Sequence, residues 1–144
     1  MRVQTGWYDD YHYYVVKPLH NGCRQNLVMW ASSEYNGRWN IAAGVFSCMA
    51  TYYSISTSDV WFEPTSTNKN PSFKVIPLAL EALAEIEQAI KEKANGKRHY
   101  LYIDGLDERR LRVYTKVLER YNCGYKKSSI KSQESDLPQL YKRV

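Results

Sequence analysis

The sequence predicts an α+β domain, with a mixed, mostly antiparallel sheet and two long helices. Runs of aromatic and β-branched residues fill residues 1–65, which is typical of strands. Two helical periodicities follow, and a strand-like run lies between them. A strand–helix–strand passage favours a parallel crossover, whereas a hairpin signal near residue 36 favours antiparallel pairing. These observations together predict a mixed sheet.

The strand-like runs of residues 1–65 are bounded by turn residues. They are YHYYVVK (11–17), NLVMWASSE (26–34), RWNIAAGVFS (38–47) and DVWFEP (59–64). Pro18 stops the first run and Pro64 ends the last, because proline cannot donate an N–H to a ladder. Asn36-Gly37 separates the second run from the third and suits a type I′ turn, in which both central residues need positive φ. We therefore expect these two runs to pair as an antiparallel hairpin.

A polar loop, TSTNKNPSFK (65–74), leads into the first predicted helix. Pro77 suits the first turn of this helix, where its missing N–H is not needed. Apolar residues then recur at helical spacing: Leu80, Leu83, Ile86 and Ile90. Asn95-Gly96 ends the helix, and HYLYIDG (99–105) follows as a strand of alternating aromatic and aliphatic residues.

The second predicted helix begins at Asp107, a good N-cap residue, and Leu106 and Leu111 are spaced as a hydrophobic staple. One face of this helix carries leucines and tyrosines in alternation: Leu111, Tyr114, Leu118 and Tyr121. We expect this stripe, Tyr114 included, to pack against the sheet. Gly124 ends the helix after Asn122 and Cys123.

Chain length predicts one domain. The 144 residues suit a single core, so we expect residues 1–144 to form one domain. After the second helix, YKKSSI (125–130) returns as a strand, and the polar tail from about residue 133 is expected to be partly loose. The 13 tyrosines suit broad sheet faces or a surface that contacts a partner, because a tyrosine ring is apolar while its hydroxyl stays hydrated.

Charge is distributed unevenly along the chain. Residues 1–96 carry 8 Lys/Arg against 9 Asp/Glu, a net charge of −1, whereas residues 97–144 carry 12 against 6, a net charge of +6. The basic end is expected either to be a solvated face or to meet phosphate, in a cofactor or in a nucleic acid.

The cysteines argue against a disulfide framework and against a structural zinc site. Cys23, Cys48 and Cys123 are odd in number, and none belongs to a CxxC pair. A reducing, cytoplasmic setting fits this usage. The N-terminus has no apolar core of a secretory signal, and no apolar run reaches the length of a membrane span. We therefore expect no metal and no membrane partner.

Three motifs of the second half of the chain occur in a recognisable order: DVWFEP leads through a loop into a long helix, HYLYIDG follows, and RLRVYTKVLERYNCGYK forms a closing helix. In this order and in the texture of the closing helix, the chain resembles the GNAT superfamily of acyl-CoA-dependent N-acetyltransferases. The order of elements matches over residues 26–130, and the sequence texture over residues 99–126. The resemblance implies an acetyl-CoA-dependent transferase in which Tyr114 is the general acid that protonates the departing CoA thiolate. The alternative role for Tyr114 is packing.

A base is also required, to take a proton from the attacking amine. Glu63, at the end of DVWFEP, is the nearest candidate by position, and Asp59 is the second. The cofactor loop departs from the family pattern Arg/Gln-x-x-Gly-x-Gly/Ala. Here the corresponding stretch, TSTNKNPSFKVIP, has no glycine, and Pro71 and Pro77 each remove an N–H donor. The cofactor-binding candidates that act by side chain are Lys69, Ser72 and Lys74. This departure predicts weak or absent acetyl-CoA binding.

Two other functions stay open. Basic and aromatic residues interleave in KRHYLY, RRLRVYTK and YNCGYKKSSIK, so a nucleic acid is a possible partner. Its expected contacts are Arg109, Arg110, Arg112, Lys116, Lys126 and Lys127. Alternatively, the domain is a non-catalytic inhibitor of the kind found among viral and mobile-element proteins, which binds a host protein through the aromatic residues of WYDDYHYY (7–14).

Overall fold

The computed structural model describes residues 4–19, 25–35, 37–50, 60–64, 72–105, 107–131 and 136–144. In these residues the chain forms eight strands and two helices. In chain order they are β1 (Gly6–Asp9), β2 (His12–Pro18), β3 (Gln25–Tyr35), β4 (Arg38–Ala50), β5 (Val60–Pro64), α1 (Ser72–Ala94), β6 (Tyr100–Ile103), α2 (Glu108–Arg120), β7 (Lys126–Lys131) and β8 (Pro138–Arg143).

The strands belong to one mixed sheet. Its order is β1-β2-β3-β4-β6-β8-β7, and β5 pairs with β4 outside this path. The pairs β1–β2, β4–β5, β6–β8 and β7–β8 are antiparallel, whereas β4 and β6 run parallel. A parallel pair needs a long crossover, and the chain between β4 and β6 contains α1. The predicted α+β class, with a mixed, mostly antiparallel sheet and two helices, is therefore confirmed.

Glycine and asparagine end these elements where the sequence predicted. β3 and β4 are neighbours in the sheet and are separated by two residues, as expected for the predicted hairpin. Gly37 has φ 75°, and Asn36 lies outside the described residues. A Cβ at Gly37 would lie 2.7 Å from the carbonyl oxygen of Arg98, so no larger residue fits without a shift. α1 is followed by Asn95 at φ 49° and Gly96 at φ 84°, which are left-handed conformations typical of a helix C-terminus.

Two predictions about these elements are wrong. Pro77 lies inside α1 rather than in its first turn, because the helix already begins at Ser72. The expected loose tail is a strand over Pro138–Arg143, and this strand, β8, lies between β6 and β7. Strand β1 was not predicted as a separate element. It pairs with β2 in an antiparallel hairpin. The continuous aromatic run WYDDYHYY gave no clear signal of the turn between the two strands.

The chain divides into two compact units. The first unit comprises Met1–Ala31 and Ala43–Ala89. One face of its strands carries rings in contact, which we call the aromatic ladder: Tyr8, Tyr14, Trp30 and Phe46. Successive ring centroids are 6.2, 6.1 and 6.2 Å apart. Two valines, Val16 and Val28, pack into the same cluster. In this unit an ion pair of 2.8 Å between Lys17 and Glu85 also links β2 to α1.

The second unit comprises Ser32–Ala42 and Ile90–Val144. Its strand registers place Trp39, Leu101 and Lys142 in one cross-strand row. Ile41, Ile103, Leu140 and Lys127 form the next row on the same face. Trp39, Leu101 and Leu140 are almost completely buried. This apolar face is the core of the unit.

Candidate functional site

Helix α2 carries Tyr114, and its start is set by Asp107. The Asp107 side chain accepts a hydrogen bond of 2.7 Å from the backbone N–H of Arg110, and its own backbone is extended, at φ −143° and ψ 166°. The predicted N-cap is therefore confirmed. Glu108 in the first turn and Arg120 in the last complement the helix dipole. Leu106, the other half of the predicted staple, lies outside the described residues.

The stripe predicted on α2 is only half buried. Leu111 and Leu118 are 8% and 7% exposed, but Tyr114 and Tyr121 are 38% and 51% exposed. The expectation that Tyr114 packs into the core is therefore wrong. Residues three apart on a helix lie about 60° from each other around its axis. Each tyrosine consequently lies at the border of a narrow leucine stripe, with much of its surface accessible.

The carboxyl end of the parallel pair leads directly into this helix. The parallel register runs from Arg38–Tyr100 to Ile41–Ile103. Asp104, half-buried, and Gly105 follow β6 and lead toward α2. A Cβ at Gly105 would lie 2.6 Å from Cβ of Leu111, so the absence of a side chain lets α2 pack closely against the end of β6.

A groove of about 460 Å³ runs along the other border of α2. Its lining residues are Glu108, Leu111, Arg112, Thr115, Lys116, Glu119 and Lys127. Leu111 supplies apolar surface, and the Thr115 hydroxyl donates a hydrogen bond of 2.7 Å to the Leu111 carbonyl. Three cations and two carboxylates surround this surface. The groove does not include Tyr114, so it is a feature separate from the predicted acid.

The opposite face of the same strands carries tyrosines and cations. The registers align Lys126, Tyr141, Tyr102 and Asn40 in one cross-strand row, and Arg143, Tyr100 and Arg38 in the next. We call these two rows the tyrosine face. The rings of Tyr102 and Tyr141 lie 6.0 Å apart at an interplanar angle of 23°, and those of Tyr100 and Tyr141 lie 6.5 Å apart.

Arg38 is held in place on the tyrosine face by three partners. Its Nη2 donates a hydrogen bond of 2.6 Å to Gln139 Oε1, and its Cζ lies 4.0 Å from the Tyr102 ring centroid. Its Nε lies 3.2 Å from Glu34 Oε2 as an ion pair that does not have hydrogen-bond geometry. The Asn40 amide donates to the other Glu34 oxygen. Nothing in the sequence signals this cluster, because Arg38 and Gln139 are 101 residues apart.

His99 packs at the edge of the core of the second unit. Its Nδ1 accepts a hydrogen bond of 2.9 Å from the Trp39 indole N–H, and the two rings stack at 6.3 Å. Partial burial, and next the charge of Lys97, lower the pKa of His99 below its ordinary value. The neutral imidazole therefore fits this position.

The other predicted site residues cannot be compared with Tyr114 by distance. Glu63 belongs to β5, and Ser72 and Lys74 belong to the first turn of α1, but the side chains of these residues lie outside the described part of the structure. Lys69 and Asp59 lie outside the described residues altogether. The proposed base and the cofactor contacts therefore stay predictions.

Among the described residues, no group of three or more His, Cys, Asp and Glu side chains is placed to hold a metal ion. In the same part of the chain, no helix is both long enough and apolar enough to cross a membrane.

Comparison of the chain with protein-family models, with curated proteins and with solved structures gave no match.

Proposed function

We propose that the chain is a GNAT-like acyltransferase domain, in which an acyl group passes from a coenzyme A thioester to an amine and Tyr114 is the general acid. The observation that carries the proposal is the parallel pair β4–β6 within a mostly antiparallel sheet, whose carboxyl end leads through Asp104 and Gly105 to the helix of Tyr114. Ligands of α/β sheets bind beyond the carboxyl ends of parallel strands. A reacting group bound beyond this end of β6 would lie beside Leu111 at the start of α2, one helical turn from Tyr114.

The accessibility of Tyr114 supports a chemical role over a packing role. With 38% of its surface exposed, its ring contributes less to the core than the neighbouring leucines do. A general acid must reach its substrate, and a phenol ordinarily titrates at a pKa of about 10, near the value of about 8.5 for a thiol. An accessible tyrosine can therefore protonate a leaving thiolate.

In the proposed step, the lone pair of the amine nitrogen attacks the thioester carbonyl. The tetrahedral intermediate then collapses, the carbon–sulfur bond breaks, and the sulfur takes a proton from the Tyr114 hydroxyl. A base accepts the proton that the nitrogen loses. The base then gives this proton to solvent and the Tyr114 phenolate takes one from solvent, which restores both groups for the next turnover. Glu63 is the base predicted from the sequence. Asp104 is the carboxylate nearest along the chain to the carboxyl end of the parallel pair.

Release of free CoA thiol from acetyl-CoA, measured with a panel of amine and peptide acceptors, tests the proposal. We expect Tyr114→Phe to lower kcat about 10²- to 10⁴-fold, the usual contribution of a positioned acid. Tyr121→Phe is the matched control, since it removes a hydroxyl from an exposed tyrosine at the end of the same helix. Equal rates for wild type and Tyr114→Phe would contradict the assigned role.

Binding of the cofactor is measured separately, by the thermal shift that acetyl-CoA produces. A ligand that binds only the folded chain stabilises it by mass action. We expect a small shift that appears only at high acetyl-CoA concentration, because the loop before α1 lacks glycine. No shift at millimolar acetyl-CoA, together with no thiol release, would exclude an acetyl-CoA-dependent transferase and favour the second candidate.

That second candidate is a protein that acts by binding a partner protein. The β1–β2 hairpin favours it, because Trp7, Tyr8 and Tyr11 are 40%, 74% and 61% exposed. Asp9 Oδ1 fixes the turn by accepting hydrogen bonds of 2.7 Å from the Tyr11 N–H and 2.9 Å from His12 Nδ1. The hydrogen bond from His12, more than that from Tyr11, lowers the pKa of Asp9. The hairpin thus presents exposed aromatic side chains on an ordered turn.

The test of this candidate is affinity for a purified partner protein, measured for wild type and for Tyr8→Ser/Tyr11→Ser. Exposed aromatic anchors contribute strongly to interfaces, so the double variant should lose binding while its folding stays unchanged. Retained affinity in the double variant would exclude the hairpin as the contact surface.

A further inference from the structure

We propose that the tyrosine face of the second unit, formed by β4, β6, β8 and β7, binds an unpaired segment of nucleic acid. The proposal concerns a surface distinct from Tyr114, and it does not depend on the acyltransferase activity. Its starting point is the strand register. Lys126 aligns with Tyr141, Tyr141 with Tyr102, and Arg143 with Tyr100, so their side chains point to the same side of the sheet.

Helix α2 borders the other side of these strands. Lys127, which follows Lys126, aligns with the buried Leu140 and lines the groove along α2. Successive residues of a strand point to opposite faces. The tyrosine face is therefore the one turned away from the α2 groove. Its aromatic residues are only partly buried, and Lys126 and Arg143 are exposed.

The rings provide surface on which bases can stack. Tyr100 and Tyr102 are two residues apart on one strand, hence about 7 Å apart along it. Tyr141 contacts both rings, at 6.5 and 6.0 Å. The Arg38 guanidinium lies over Tyr102 at 4.0 Å, and Gln139 and Glu34 fix its orientation. The Arg38 side chain is only 13% exposed, so its role is to order Tyr102. Stacking is left to the tyrosine rings, which stack on unpaired bases whatever the base.

Charge favours a phosphate backbone as the partner. Lys126 and Arg143 lie beside the rings, and both are cationic and exposed. Glu34, a carboxylate in contact with this face, is paired with Arg38. Residues 97–144 as a whole carry a net charge of +6. An arrangement of stacking rings beside cations binds single strands better than duplexes, since duplex bases already stack on one another.

Fluorescence anisotropy with labelled single strands of about 12 nucleotides, a typical site size, tests the proposal. DNA and RNA versions are measured separately, because the 2′-hydroxyl distinguishes them and the stacking mode does not. We expect single strands to bind more tightly than the matching duplex, and affinity to fall as salt rises. Duplex binding of equal affinity would overturn the proposal, and so would equal affinity for polyglutamate, which has charge but no bases.

The neighbouring lysines give a matched control. The sequence predicts contacts from both lysines, but only Lys126 lies on the tyrosine face, whereas Lys127 lines the α2 groove on the opposite face. Lys126→Ala and Lys127→Ala therefore remove the same charge from opposite faces. We expect Lys126→Ala to weaken binding several-fold and to lower its salt dependence, and Lys127→Ala to leave both unchanged. Equal losses in the two variants would mean that net charge, not this face, holds the nucleic acid.

Stacking is tested at Tyr141, which contacts the other two rings. Tyr141→Leu should weaken binding by about tenfold or more, the usual effect of losing one stacked base, whereas Tyr141→Phe should retain affinity. Circular dichroism verifies that each variant is folded. If Tyr141→Leu does not fold, Lys126→Glu against Lys127→Glu tests whether this face holds the nucleic acid, and equal losses in the two variants would overturn the proposal. Unchanged affinity in a folded Tyr141→Leu would overturn the proposal.

Discussion

In the first unit, the aromatic ladder packs ring against ring and ends in Phe46, which is only 6% exposed. In the second unit, the rings of the tyrosine face lie beside Lys126 and Arg143, and the core is on the opposite side of the strands. Both sets of aromatic residues come from strands of one sheet. Within the ladder, the rings of Tyr14, Trp30 and Phe46 stabilise the fold. Tyr8, at the outer end of the ladder, is 74% exposed and is available for contacts, as are the rings of the tyrosine face.

The largest effect is expected from the aromatic ladder. Phe46→Ala should lower the free energy of unfolding by about 3–5 kcal/mol, because it leaves a cavity beside Trp30 and Val28. Phe46→Leu nearly conserves the volume and should cost about 1.5 kcal/mol or less. Urea denaturation of the two variants measures both values. A loss below about 1 kcal/mol for Phe46→Ala, close to the cost of an ordinary surface substitution, would contradict the assignment of the ladder to the core of its unit.

The next effect separates the leucines of α2 from its tyrosines. Leu118→Ala should cost about 2–5 kcal/mol, because Leu118 is buried. Tyr114→Ala should cost only about 1 kcal/mol, because Tyr114 is on the accessible border of the stripe. The same denaturation experiment compares them. Equal losses of unfolding free energy in the two variants would mean that Tyr114 packs in the core, and they would weaken its assignment as the general acid.

A smaller effect is expected at the turn that opens the parallel pair. Gly37→Ala should cost about 1–3 kcal/mol, since a positive φ and a close approach to Arg98 both oppose a side chain there. The Gly37 carbonyl also accepts a hydrogen bond of 2.7 Å from the Tyr100 N–H, so strain at the turn reaches β6. Hydrogen exchange of the Tyr100 amide should accelerate in this variant. Unchanged protection would mean that the turn and β6 are independent.

The smallest effect is a pH dependence of the second unit. The pKa of His99 is lowered in the folded chain. As pH falls below about 6.5, the unfolded chain therefore binds more protons than the folded chain does, and protonation favours unfolding. The contribution of His99 is thus present in full above that pH and declines as pH falls toward the folded pKa. His99→Asn keeps an acceptor for the Trp39 indole but does not titrate. The urea midpoint of wild type should fall more between pH 7.5 and 5.5 than that of the variant, and parallel curves would contradict this.

Local signals in the sequence predicted local structure well. Gly37, the pair Asn95-Gly96 and the cap Asp107 were each identified correctly, because a few residues decide the backbone conformation at a turn or cap. Pro77 was misplaced because the sequence offers two prolines that suit the start of a helix. Pro71 stands directly before Ser72, where α1 begins, and Pro77 lies five residues after Ser72.

Pairings between distant residues were not predictable in the same way. The polar composition of residues 138–143 hid a strand, because its pairing with β6 and β7 depends on tertiary context. The tyrosine face was not predicted for the same reason, since Tyr141 belongs to that strand. Alternation in HYLYI correctly predicted that Tyr100 and Tyr102 lie on one side of the strand. It did not predict which residues of other strands would lie beside them. The exposure of Tyr114 likewise depends on which neighbours meet α2.

The position of β8 also has a consequence for the folding pathway. β8 follows β7 in the chain but lies between β7 and β6 in the sheet, so β7 reaches the sheet only through β8. The β7–β8 hairpin is local, whereas pairing of β8 with β6 closes a loop that contains α2. Local pairs form at lower entropic cost than distant ones. We therefore expect the hairpin to form first and to dock onto β6 as a single piece in the slower step.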